Sequence, residues 1–103
     1  MNKQEQIRIF EENVAKMRDI LLSKGDDYAN EDRLSNFKLV GQICGLTPQQ
    51  VCLVFMATKV VRLGNLVASG AGPKNESIYD SVLDLGNYNM LFDMINTEDF
   101  IKV

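Results

Sequence analysis

The sequence predicts an all-α fold, a four-helix antiparallel bundle in which residues 1–103 form a single helical domain. Apolar residues recur at steps of three and four along most of the chain, which is the period of an α-helix. Short polar or glycine-containing segments separate these stretches, and none carries the signals of a β-hairpin. A chain of 103 residues with 46% hydrophobic residues can bury one globular core. Helices joined by short connections pack by default as an antiparallel bundle.

The first two helices are predicted from apolar stripes on either side of a polar loop. The first should run from about Lys3 to Ser23, with Gly25 as its C-terminal stop. Its stripe consists of Ile7, Phe10, Val14, Met17 and Leu21. Residues 24–32 are polar and acidic, which predicts a loop. The second helix is expected from about Asn30 or Glu31 to Gly45, with its apolar residues three apart at Leu34, Phe37, Val40 and Ile43.

The third and fourth helices are predicted from their start signals and their length. Residues 47–50, Thr-Pro-Gln-Gln, combine an N-cap, a proline for the first turn and the glutamine of a capping box. From Val51 to Val67 the helix is apolar almost all round, which predicts a central helix packed on several sides. Residues 69–73 break it. The fourth helix is expected from about Asn75 to Ile95, and residues 97–100 could form a last short turn.

Composition excludes several classes of function. The net charge is −3 and no basic run occurs, so we expect no binding to duplex nucleic acid. Without histidine there is no Ser-His triad and no histidine-ligated zinc. Cys44 and Cys52 are predicted to be buried free thiols. The charged start lacks the apolar core of a signal peptide, and no run of about 18 uncharged apolar residues occurs. These features favour a cytoplasmic protein without a membrane partner.

Two cations stand out in the most apolar helix. Lys59 and Arg62 are three residues apart and so share a helix face. Burial of an unpaired charge is costly, so each cation should reach solvent, pair with a carboxylate or face a phosphate. The fourth helix carries an acidic stripe at steps of four, formed by Glu76, Asp80 and Asp84. That stripe could face these cations, hold Mg²⁺ together with substrate phosphates, or be a solvated surface.

Further polar groups could complete a ligand site. In the loop, Lys24 and Asp27 accompany the lone aromatic Tyr28, which could stack on a base or simply pack on the core. Asp27 could contact a ligand or pair with Arg62. Asn36 and Asn87 offer amide groups for hydrogen bonds.

Taken together, these segments resemble a family of small helical phage proteins, the nucleotide modification associated domain 1 family. Three motifs carry the resemblance: K-x-x-D-Y at residues 24–28, K-x-x-R-L at 59–63, and N-E-S-I-x-D-S-x-L-D-L-x-N-Y at 75–88. It covers about residues 20–95, and the last motif is the most specific. The family is associated with phage nucleotide metabolism and base modification, so a phage-encoded chain would act in the host cytoplasm.

The layout is also similar to the MazG-like nucleoside triphosphate pyrophosphohydrolases. That likeness implies binding of Mg²⁺ by Glu76, Asp80 and Asp84, and phosphate binding by Lys59 and Arg62. The E-E-x-x-E motif of those enzymes is absent, because Glu11 and Glu12 are followed by Asn-Val-Ala. Binding is therefore favoured over hydrolysis.

The leading hypothesis is a nucleotide-binding protein that binds or sequesters a modified nucleotide or a nucleotide second messenger of host defence. The ligand-binding residues would be Lys24, Asp27, Tyr28, Asn36, Lys59, Arg62 and Asn87. A Mg²⁺-dependent nucleoside triphosphate pyrophosphohydrolase and a helical interaction protein without a small ligand remain as alternatives. The apolar surface of the third helix also predicts a homo-oligomer, in which ligand sites could be shared between subunits.

Overall fold

The fold consists of α-helices joined by short connections. The computed structural model describes residues 1–28, 31–72 and 75–101, except the side chains of Tyr28 and of residues 99–101. Within these ranges there are four helices and no strand: α1 (Lys3–Tyr28), α2 (Ser35–Cys44), α3 (Pro48–Ala68) and α4 (Glu76–Ile101). The all-α class and the four predicted helices are confirmed.

Helix α1 does not end where the sequence predicted. The expected end at Ser23 is wrong, because the helix continues through Gly25. A Cβ atom on Gly25 would clash with the guanidinium of Arg33, which lies across the helix at this point. Arg33 donates a hydrogen bond to the carbonyl of Leu22 (3.0 Å) and pairs with Asp26 (2.8 Å). Gly25 therefore leaves room for the side chain of Arg33 and does not end the helix.

The ends of α2 and the start of α3 follow local sequence signals. Helix α2 begins at Ser35, later than predicted, after a turn in which the Asp32 side chain accepts a hydrogen bond from the backbone N–H of Leu34 (3.0 Å). Its last residue is Cys44, and it is capped by Gly45, whose φ of 68° is the left-handed conformation that glycine adopts at low cost. Thr47 caps α3 with the predicted capping box, in which its hydroxyl accepts the N–H three residues on.

Helix α4 is longer than predicted. The side-chain oxygen of Asn75 accepts hydrogen bonds from the backbone N–H groups of Ser77 and Ile78, in the first turn of the helix. The predicted end at Ile95 and the separate last turn are wrong, because the helix continues without a break to Ile101. The hydroxyl of Thr97 donates back to the carbonyl of Asp93 (2.8 Å), so it bonds within α4 rather than capping a new turn.

Helix α3 packs against both α2 and α4, and α1 packs against α4. Cys52 and Lys59 of α3 contact Tyr88 and Asp84 of α4, respectively, so these two helices run antiparallel. The core where α2, α3 and α4 meet consists of Leu34, Phe37, Val51, Cys52 and Ile95. At its edge, Lys38 of α2 contacts Asp32 and also pairs with Glu98 of α4 (2.6 Å). The hydrogen bonds that Lys38 donates to Asp32 and Glu98 raise the pKa of its ammonium group, so this tie between α2 and α4 stays charged.

The prediction that α3 is packed on several sides is wrong. Its buried residues are Val51 and Cys52. Phe55 of α3 contacts both Phe37 of α2 and Tyr88 of α4, so the two partner helices lie against the same side of α3. The opposite side is exposed over the length of the helix. The radius of gyration is 15.5 Å, against about 13 Å for a compact chain of this length.

The two cysteines differ in their burial. Cys52 is a buried free thiol, as predicted, and its Sγ lies 3.3 Å from the carbonyl oxygen of Tyr88. The prediction that Cys44 is buried is wrong, because this free thiol is exposed. It lies in the last turn of α2, beside the exposed Ile43 and on a part of that helix that points away from the core.

The capping box of α3 gives a direct test of the fold. We expect the variant Thr47→Ala to lower the free energy of unfolding by about 1 kcal/mol, because it leaves a helix-start N–H without its partner. Urea unfolding followed by circular dichroism measures this change. Thr58→Ala, an exposed site within the same helix, is the matched control and should change stability by less than about 0.5 kcal/mol. Equal losses in the two variants would contradict the capping assignment.

Candidate functional site

A pocket of about 530 Å³ lies where the C-terminal part of α1 meets the other helices. Its walls are mostly apolar, with polar side chains from each of the helices that form it. From α1 and the segment after it come Ile20, Leu21, Leu22, Lys24, Gly25, Arg33 and Leu34. From α2, α3 and α4 come Asn36, Phe37, Val40, Phe55, Lys59, Asp84, Asn87, Tyr88, Leu91 and Met94. A few convergent polar groups in an apolar cleft are typical of small-molecule sites.

Three aromatic rings form a row along the pocket. The ring centroids of Phe37 and Phe55 are 6.0 Å apart, and those of Phe55 and Tyr88 are 5.6 Å apart, both pairs being tilted. Phe37 is buried, whereas Phe55 and Tyr88 are partly exposed. Burial raises the pKa of the Tyr88 hydroxyl, so it stays protonated at neutral pH and can donate a hydrogen bond. This row offers apolar ring faces, with the Tyr88 hydroxyl at one end.

One carboxylate holds two ammonium groups at this polar end. Asp84 Oδ1 lies 3.1 Å from Lys24 Nζ, and Asp84 Oδ2 lies 3.0 Å from Lys59 Nζ. The Asp84 side chain is only 15% exposed, whereas those of Lys24 and Lys59 are 56% and 26% exposed. An ammonium group has three N–H donors, so each lysine can still donate to a ligand while it contacts Asp84.

The pKa of Asp84 reports the balance of forces in this cluster. Burial disfavours the charged carboxylate and is the largest single influence on it. Hydrogen bonds from Lys59 and Lys24, together with their positive charges, more than offset this burial and lower the pKa of Asp84 below its ordinary value. Asp84 is therefore ionised at neutral pH and keeps both lysines at the pocket.

The pocket has a positive lining in an acidic chain. Its charged lining residues are Lys24, Arg33, Lys59 and the single acid Asp84, whereas the whole chain has a net charge of −3. Cations gathered in a concave site with apolar walls raise the local concentration of anions. The lining therefore favours an anionic ligand.

The structure brings together half of the residues that the sequence predicted for the site. Lys24, Asn36, Lys59, Asp84 and Asn87 line the pocket. Asn87 is buried, and its amide nitrogen donates to the carbonyl oxygen of Met17 (2.9 Å), so part of this amide ties α4 to α1. The side chain of Asn36 makes no hydrogen bond with the residues that the structure describes.

Four of the other predicted site residues do not line the pocket. Asp27 is exposed, and it is the neighbouring Asp26 that pairs with Arg33. Arg62 is exposed and forms no ion pair within the described part of the chain. Glu76 and Asp80 are also exposed, at the start of α4. The side chain of Tyr28 lies outside the described residues.

The acidic stripe of α4 is not gathered into a cluster of ligands. Among the residues that the structure describes, no three cysteine or acidic side chains are close enough together to hold a metal ion. Asp84 alone reaches the pocket, where both of its oxygens contact ammonium groups. Binding of Mg²⁺ by Glu76, Asp80 and Asp84 stays a prediction from the sequence.

Arg33 and Phe55 are among the pocket residues that sequence reasoning missed. Phe55 was one of many apolar residues in α3, and nothing in that pattern distinguishes a core residue from a pocket wall. Arg33 lies in a connecting segment, and its position depends on space left by Gly25 eight residues earlier. An isolated glycine inside a helical pattern was the available signal, because such a glycine often marks a close approach.

Comparison of the chain with protein-family models, curated proteins and solved structures gave no match. The resemblance to the nucleotide modification associated domain 1 family and the likeness to the MazG-like fold therefore stay predictions from the sequence motifs.

By length and composition, α3 could cross a membrane. Core helices of soluble proteins pass the same test, but these are mostly buried, whereas 11% of the apolar window of α3 is buried. The apolar outer side of α3 therefore needs an explanation beyond the packing of a single chain.

The Asp84 cluster predicts a pH-dependent contribution to stability. Because the folded-state pKa of Asp84 is lowered, its ionised form stabilises the fold above the unfolded-state pKa of about 3.9. This contribution is lost as the pH falls through the folded-state pKa. We expect Asp84→Asn to cost about 1–3 kcal/mol of unfolding free energy at neutral pH, with the difference from wild type shrinking in acid.

Urea unfolding of both proteins at a series of pH values measures this difference. Asp80→Asn is the matched control, since Asp80 is exposed on the same helix and forms no ion pair with the described residues. It should unfold like the wild type at every pH. A cost of Asp84→Asn that does not change between neutral and acid pH would contradict the ionic origin of the effect.

Proposed function

We propose that the protein binds a small nucleotide in the pocket between α1 and the other helices. The observation that carries this proposal is the pair of ammonium groups, of Lys24 and Lys59, held by Asp84 at one end of an apolar pocket. A nucleotide has the matching combination of a flat aromatic base and an anionic phosphate.

The phosphate would occupy the cationic end of the pocket. Lys24 and Lys59 come from different helices, and the shared carboxylate fixes them near each other before a ligand arrives. Such preorganisation lowers the entropic cost of binding. Lys24 and Lys59 together carry one more charge than Asp84 neutralises, and charge-assisted hydrogen bonds from such ammonium groups to a phosphate are the stronger ones. Arg33 also lines the pocket, with its guanidinium paired to Asp26.

The base would lie against the aromatic row. Phe55 and Tyr88 are partly exposed and tilted against each other, which leaves ring surface free for a planar group. The amide of Asn36 lines the same pocket and could hydrogen-bond to the polar edge of a base, where it would help to select one base over another.

Binding without hydrolysis is the form of this function that we favour. Metal-assisted hydrolysis of a phosphoanhydride needs a carboxylate that is available to hold Mg²⁺. In the pocket lining Asp84 is the single acid, and both of its oxygens contact ammonium groups. A bound nucleotide would instead be held or sequestered, whether it is a modified nucleotide or a second messenger of host defence.

The charge of Lys59 should decide binding, whereas that of Arg62 should not. Lys59→Met is expected to weaken nucleotide binding at least about tenfold, because a charge-assisted contact to phosphate is lost. Arg62→Met removes an exposed cation that does not line the pocket, and this variant should bind like the wild type. Isothermal titration calorimetry measures both, after a thermal-shift screen of mononucleotides, linear dinucleotides and cyclic dinucleotides.

The screen should be run with and without Mg²⁺. The ligand should then be recovered and its mass determined by mass spectrometry, to tell intact from hydrolysed nucleotide. Stabilisation without metal and recovery of intact ligand support the binding function. Turnover that depends on Mg²⁺ would favour the pyrophosphohydrolase alternative. A protein that no nucleotide stabilises, or equal losses in Lys59→Met and Arg62→Met, would contradict the proposed site.

A further inference from the structure

The outer side of α3 is a bare apolar face. Leu53, Val60 and Val67 follow one another at intervals of seven residues, with Val54 and Val61 beside them, and each is between 50% and 66% exposed. At 3.6 residues per turn these side chains fall on one half of the helix. The small residues between them on this half are uncharged, so no ionic group interrupts the face.

The chain exposes more surface than a compact monomer of its mass. Its accessible surface is 7470 Å², whereas a compact monomer of 11.6 kDa exposes about 5,800 Å². The excess over the whole chain is roughly 1,600 Å², and a specific dimer needs about 800 Å² from each copy. The outer face of α3 contributes to this excess, so a second copy seated on that face would cover part of it.

We propose that the outer face of α3 is the interface at which two copies of this chain associate. A two-fold axis would place this face against the same face of the partner. Side chains seven residues apart stay on one side of a helix, and the small residues Ala57 and Gly64 between them leave room for side chains of the partner. The absence of charge matters for self-association, because a charged residue near the axis would meet a like charge on the other copy.

A membrane is a less suitable partner for the same face. Lys59 and Arg62 lie near the middle of α3, so a helix crossing the bilayer would carry two cations to its apolar centre, where charges are costly. In the folded chain Lys59 pairs with Asp84, so this cation joins α3 to α4. A helix inserted in lipid would have to give up this pair. A second protein chain covers the outer face without moving either cation.

The interface and the nucleotide pocket are on opposite sides of α3. Phe55 and Lys59 line the pocket, whereas Val61 and the other residues of the outer face are exposed and do not line it. Self-association can therefore be tested apart from ligand binding, and failure of one proposal does not carry over to the other.

Sedimentation velocity of the wild type at tens of micromolar should give a species of twice 11.6 kDa. Val61→Glu should shift this to a single chain, because it places a carboxylate in the apolar interface. Ile43→Glu is the matched control, since Ile43 is an exposed apolar residue of α2, outside the face. This variant should sediment like the wild type.

Circular dichroism of the same samples separates loss of association from loss of folding. A helical, single-chain Val61→Glu protein supports the interface. So does a Val61→Glu protein that unfolds while Ile43→Glu stays folded, because Val61 is 62% exposed in the single chain and a fold loss must come from the lost partner.

Three results would overturn the proposal. The first is a helical wild type that sediments as a single chain at all these concentrations. The second is a Val61→Glu variant that still sediments as the pair. The third is a wild type that floats with phosphatidylcholine–phosphatidylglycerol vesicles and forms no pair in their absence, which would assign the face to a membrane.

Discussion

The carboxylate of Asp84 connects three helices and defines the polar end of the pocket. It belongs to α4, and its two oxygens contact Lys59 of α3 and Lys24 of α1. Helix α1 has few other polar ties to the rest of the fold, among them Asn13 to Tyr79 and Asn87 to Met17. Burial alone would raise the pKa of this carboxylate, whereas the two lysines lower it, and the positions of the lysines depend in turn on Asp84. Stability and the preorganisation of the candidate site therefore rest on the same interaction.

Helix α3 serves two different surfaces. Its inner side contributes Phe55 and Lys59 to the pocket and Cys52 to the core, while its outer side carries uncharged apolar residues. A helix that is apolar all round is expected to be covered all round. In the single chain α2 and α4 cover one side of it, and the proposed second copy would cover the other. The same composition that predicted a central helix is thus explained by packing within and between chains.

The sequence predicted what depends on neighbours along the chain. The cap at Thr47, the stop at Gly45 and the existence of each helix follow from local patterns, and all are found. The end of α1 could not be predicted, because it depends on Arg33 reaching across the helix at Gly25. Lys59 and Asp84 were recognised as unusual charges, but their convergence with Lys24 depends on how α1 packs against α4.

Direct titration of Asp84 tests the central interaction. Carbon-detected NMR of its side-chain carboxyl should give a midpoint below about 3.9 in the ligand-free wild type. In the double variant Lys24→Met, Lys59→Met the midpoint should rise above this value, because burial remains while the ammonium groups are gone. The same midpoint in both proteins would show that the lysines do not hold this carboxylate, and would contradict the role of Asp84 in organising the pocket.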